Sequence, residues 1–71
     1  MENLPKLYAE RAKVYEQMKA RAENWEAIIE RGEDIPTDQE TEYNKWDADY
    51  DRYTNQIERL KKLDADLEIH L

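Results

Sequence analysis

His70 stands four residues after Asp66, a spacing that sets both on one face of a helix, where they could share a metal ion. Two ligands in a last helical turn, where ends fray, make a poor site. A carboxylate-bridged di-metal bundle needs Glu-x-x-His pairs on more than one helix, and the sequence has none. The carboxylates Asp47 and Asp51, and likewise Asp64 and Glu68, have the i,i+4 spacing of ordinary neighbours on an acidic helix. Acid–base work on a glycoside would need a concave, partly desolvated site between them, which two helices do not supply. Thr37, Thr41 and Thr54 are hydroxyl nucleophile candidates with no base placed to activate them. The chain has no cysteine, so disulfides, thiolate metal sites and cysteine nucleophiles are out, and a single glycine rules out a glycine-rich phosphate loop. Tyr43, Trp46, Tyr50 and Tyr53 could be drawn as a row for stacking bases, but they lie beside an acidic cluster, and core packing is the expected use. The expectation is therefore no catalytic residues, no cofactor and no metal.

Composition points the same way. In 71 residues, 41% are charged and the mean hydropathy is −1.19, which leaves little apolar material for a deep pocket. The start, Met-Glu-Asn-Leu-Pro, lacks a basic region followed by an apolar one, and no later run approaches membrane-spanning length. A soluble intracellular chain with no membrane partner is expected. The net charge of −7 is concentrated: from Glu33 to Asp51 eight acids face Lys45 alone, and the remainder balances ten acids with ten bases. Phosphate binding is disfavoured there and no basic stripe occurs elsewhere, so no nucleic-acid partner is expected.

The elements that carry these residues are set by the stretch Arg31 to Glu40. Gly32 can take the left-handed conformation that ends a helix, and Pro36 has no amide proton and disfavours helix at Ile35. Thr37 with Glu40 reads as a capping box, the hydroxyl taking the Glu40 amide. The spacing predicts one all-α domain over 1–71, a helix over about 4–31, a turn over about 32–37 and a helix over about 38–70, folded back as an antiparallel two-helix hairpin of coiled-coil type. Asn3 or Leu4 can cap the first helix, with Pro5 in its first turn.

Alternating steps of three and four place Leu4, Leu7, Arg11, Val14, Met18, Arg21, Trp25 and Ile28 on one seam of the first helix. The second helix repeats the rhythm with Tyr43, Trp46, Tyr50, Tyr53, Ile57, Leu60, Asp64, Leu67 and Leu71. Matching these seams in order pairs Ile28 with Tyr43, Trp25 with Trp46, Arg21 with Tyr50 and Val14 with Ile57, and brings Arg11 within about one turn of Asp64. Beside the first seam runs a weaker second row, Pro5, Tyr8, Ala12, Tyr15, Lys19, Ala22, Glu26 and Ile29, in which Tyr8, Ala12, Tyr15, Ala22 and Ile29 are apolar or small. One helix facing one partner needs a single seam, so the second row predicts a further surface, and Leu63 and Ile69 also fall off the seam. A lone hairpin has only one interface. A homo-oligomer built through the second row, giving a larger helical bundle, is expected.

The run Glu10 to Ala20 (ERAKVYEQMKA), the turn and start Gly-x-Asp-Ile-Pro-Thr-Asp-Gln-Glu-Thr-Glu-Tyr from Gly32 to Tyr43, Trp46 to Asp51 and Gln56 to Leu60 together resemble the N-terminal scaffolding or delta domain of tailed-bacteriophage major capsid proteins. The resemblance implies a non-catalytic assembly role inside the immature shell, within the host cytoplasm, with a capsid protein and a maturation protease as partners. Gly32, Thr37, Glu40 and the seam residues after them are the positions it carries over, all structural. It departs from the family in Arg21, at a commonly aliphatic seam position, and in Trp25, Trp46 and Tyr50, where leucines are common. With no shell-forming domain in these residues, the chain is expected to be a fragment or a separate scaffold. The alternative expectation is a generic hairpin adaptor for another protein.

Overall fold

A computed structural model of the chain describes residues 3–70, with side-chain surroundings through residue 65. It is an all-α hairpin: α1 (Asn3–Glu30) and α2 (Thr37–His70) pack antiparallel along their length. Neither helix is interrupted, because after Pro5 the next glycine or proline is Gly32 and after Pro36 there is none.

The bend is built from backbone bonds. Gly32 has φ +75°, its amide donates to the Ile29 carbonyl at 2.9 Å, and the Glu33 amide reaches back to the Ile28 carbonyl at 3.1 Å. That pair of bonds is a Schellman closure, which satisfies carbonyls the ending helix would otherwise leave bare. Across the turn, the Gln39 and Glu40 amides both donate to the Pro36 carbonyl, at 3.1 and 3.2 Å. The capping box expected at Thr37 and Glu40 therefore does not form. Pro36 is the residue that precedes the helix, Thr37 is its first helical residue, and the Thr41 hydroxyl donates to the Thr37 carbonyl at 3.1 Å. Asp38 and Glu40 lie in the first turn, where their charge complements the helix dipole.

The molecule is a rod of 60 × 15 × 15 Å with a radius of gyration of 17.0 Å, against about 11 Å for a globular chain of this length. Its accessible surface is 5737 Å², against about 4,700 Å² for a compact monomer of this mass. The core is correspondingly thin. Among the described residues, Ile28 and Ile57 are the buried apolar side chains, and the rest of the seam is half-buried.

The register differs from the one obtained by matching seams in order. Equal steps from the helix ends at Glu30 and Thr37 set residue 25 opposite residue 42 and residue 21 opposite residue 46. Trp25 accordingly stacks at a tilt on Tyr43, with ring centroids 4.9 Å apart, rather than meeting Trp46. The Arg21 guanidinium lies over Trp46, 5.0 Å from the ring centroid, in place of Tyr50. Arg11, expected near Asp64, is held by Thr54 and Tyr50. The helices thus pack about one turn away from the layers obtained by matching seams in order.

Candidate interaction surface

Burial divides α1 into two edges. On one, Leu4, Leu7, Arg11, Val14, Met18, Arg21, Trp25 and Ile28 are all half-buried or buried against α2. On α2 the covered residues are Tyr43, Trp46, Tyr50, Tyr53, Ile57, Leu60 and Asp64, together with Gln39, Asp49 and Thr54. Leu67, Ile69 and Leu71 of the expected pattern, and the pairs His70 with Asp66 and Asp64 with Glu68, involve side chains outside the described residues.

Polar groups set into the covered edge find specific partners. The Trp25 indole N–H donates to Gln39 Oε1 at 2.9 Å, which explains why a glutamine is half-buried one seam step before Tyr43. Arg21 Nη2 pairs with Glu42, while Arg21 Nη1 is buried with no hydrogen-bond partner. Stacking on Trp46 gives the guanidinium face a favourable contact that its inner N–H lacks. Farther from the bend, Arg11 Nη1 donates to the Thr54 hydroxyl at 3.1 Å and lies between the rings of Tyr8 and Tyr50, 5.4 and 5.5 Å from their centroids. The two seam arginines thus use their stems as apolar packing and their heads as cross-links between helices.

The other edge of α1 is open. Tyr8, Ala12, Tyr15, Ala22 and Ile29 are all exposed, Tyr15 at 51% and Ile29 at 60%. The stripe has relief. Tyr15 leans toward Tyr50, with ring centroids 6.3 Å apart and tilted by 45°, and Lys61 sits 5.4 Å from the Tyr8 ring centroid. Between these aromatics Tyr8, Arg11, Ala12, Tyr15 and Tyr50 line a shallow depression at the side of the hairpin. Exposed tyrosines flanking a small residue offer wide apolar contact at low entropy cost, because each ring has only two torsions to fix. Leu63, on α2, is also exposed, at 48%.

The remaining chemistry-bearing residues do not converge. Asp47 and Asp51 are exposed on α2, and the Thr54 hydroxyl is engaged by Arg11. Among the described residues no three His, Asp or Glu side chains are grouped to hold a metal ion, and no helix is long and apolar enough to cross a membrane. Sequence reasoning missed the contacts of Gln39, Glu42, Thr54 and Lys61. Gln39 occupies the seam step before Tyr43, a signal hidden by its polarity, whereas the others depend on the register. No family model matches the chain, and no curated protein or solved structure is found to be similar to it.

Proposed function

We propose that this chain is a non-catalytic assembly module that works by binding copies of itself through the open edge of α1. The observation that carries the reading is the contrast within one helix: a second row from Tyr8 to Ile29, weaker than the first because Lys19 and Glu26 interrupt it but otherwise apolar or small, stands exposed on a rod with a thin core. Covering such a row adds burial without adding chain, the effect from which a two-helix hairpin gains most. Within that reading, a scaffolding domain for a tailed-phage capsid, working in the bacterial cytoplasm and inside the immature shell, is supported by the residue pattern from Glu10 to Leu60. The acidic bend suits that role, since negative charge at the tip repels packaged DNA.

Sedimentation equilibrium from about 1 μM to about 1 mM spans the range in which a modest interface fills. The expected result is a mass that rises with concentration for the natural chain and stays monomeric for Tyr15→Glu, with equal helicity for both. A monomeric natural chain throughout that range would remove the reading and favour the adaptor alternative. The capsid role has its own test in the neighbouring coding sequence. A shell-forming capsid domain, in frame or in the adjacent gene, is expected there, and genes of unrelated metabolism would count against it.

A further inference from the structure

We infer that the occupant of the open edge is a second copy whose bend points the opposite way, with Ile29 of each copy seated in the Ala12 depression of the other. The inference rests on the self-association reading and adds the geometry of the pair.

Charge argues for the direction. A plane through the Tyr15–Tyr50 contact divides the sequence into a bend side, residues 15–51, with twelve acids and four bases, and the remainder, residues 1–14 and 52–71, with seven bases and six acids. The charge is therefore lopsided, −8 on the bend side and +1 over the rest of the chain. Two copies with bends together would set the two −8 bend sides against each other. Opposed bends place each acidic turn beside Lys6, Lys13 and Lys61 of the other copy.

Shape argues for the same direction. Ala12 lies in a depression lined also by Tyr8, Arg11, Tyr15 and Tyr50, while Ile29 is the most exposed large apolar side chain of the stripe. The two positions are 17 residues apart, about 26 Å along α1. A two-fold axis midway between them fills both depressions at once, a self-complementary contact of the kind a closed dimer requires. With bends together Tyr15 would face Tyr15 and Ile29 would face Ile29, leaving both depressions empty. Area sets the strength: a standard stable dimer covers about 800 Å² on each partner, which on a rod 15 Å wide takes overlap along most of its 60 Å length. A two-fold between Ala12 and Ile29 gives an overlap of about 40 Å, about 600 Å² on each partner at this width, the size of a modest, concentration-dependent interface.

The absence of cysteine makes the pair directly testable. Full-length Ala12→Cys and Ile29→Cys chains, both altered at exposed positions, are mixed in equal amounts and mildly oxidised. The mixed 12–29 disulfide is expected in about tenfold excess over either homodisulfide, because only the opposed pair brings those β-carbons within bonding range. A nitroxide on Asp34→Cys, in the exposed turn, gives a second measurement by electron–electron dipolar spectroscopy. Opposed bends predict a separation of about 40 Å from the helical rise, and bends together predict about 20 Å for neighbouring rods 15 Å wide. A dimeric mass with homodisulfides, or with the shorter separation, overturns the opposed arrangement and leaves self-association standing. A monomeric mass at every concentration overturns both.

Discussion

Ile28 and Ile29 are adjacent and chemically identical, yet one is 8% exposed and the other 60%. Ile28 closes the seam against α2 beside the turn, whereas Ile29, one helical step of about 100° farther round, heads the row that nothing in the hairpin covers. The same division holds along all of α1. Eight seam positions are covered and the five apolar or small positions beside them are open. One helix therefore carries two apolar edges with separate tasks: the first makes the hairpin, and the second is left for what the hairpin binds. If so, substitutions on the two edges should separate, one class acting on folding and the other on association.

The largest expected effect is at the covered edge. Ile57, at 2% exposure the most deeply buried apolar side chain described, should lose about 2–4 kcal/mol of stability on replacement by alanine. Ile28→Ala should fall at the lower end of that range, because it sits beside the solvent-exposed turn. In a chain with so thin a core such a loss consumes much of the whole. Urea unfolding at low concentration, followed by helicity, measures it. A change below about 0.5 kcal/mol for Ile57→Ala would mean that the seam does not hold the rod together.

Next in size is the bend, which belongs to neither edge. A β-carbon added at Gly32 meets nothing within 4 Å, so Gly32→Ala carries only the cost of a left-handed backbone at φ +75°, about 1–2 kcal/mol. Because space is open, Gly32→Asn should recover part of that loss. Thermal unfolding of the two variants side by side tests the point, and equal melting temperatures for both and the natural chain would argue that the Schellman closure is dispensable.

Smaller still is the effect of the indole bond. Trp25→Phe keeps an aromatic ring against Tyr43 and deletes the N–H that Gln39 accepts, at an expected cost of about 1 kcal/mol. The double variant with Gln39→Leu should cost less than the sum, since the two groups lose one shared bond. Strict additivity in that cycle would show that the bond contributes nothing net.

How much of this was legible beforehand follows from where each signal resides. Gly32, Pro36 and the three-four spacing of apolar residues are local, and the hairpin and its two seams could be read from them. The register could not. It depends on how the two helices meet across the turn, and the contacts of Trp25 with Tyr43 and of Arg21 with Trp46 place it about one turn from the layers that seam matching gives. The Glu40 amide bonds to the Pro36 carbonyl instead of a Thr37 side chain, and that choice is made by backbone geometry a motif does not encode. Every polar contact across the helices inherits that shift: Arg21 meets Glu42 and Trp46, Arg11 meets Thr54 and Tyr50, and Trp25 meets Gln39. The open row, by contrast, was visible as spacing alone.

The smallest expected effect on folding is the most informative about the comparison. Ile29→Ala removes a side chain that is mostly in water already, and alanine is the better helix former, so monomer stability should change by less than about 0.5 kcal/mol. If the open edge is where copies meet, the same substitution should weaken association at least tenfold, because it deletes the knob that fills the Ala12 depression while leaving charge and helicity unchanged. Ile28→Ala should do the reverse, lowering the stability of the hairpin more than it lowers the affinity between folded copies. Measuring both quantities for both variants makes a two-by-two test on neighbouring residues. Should Ile29→Ala unfold the chain, or leave association untouched, the two edges of α1 would not have the separate tasks their burial assigns them.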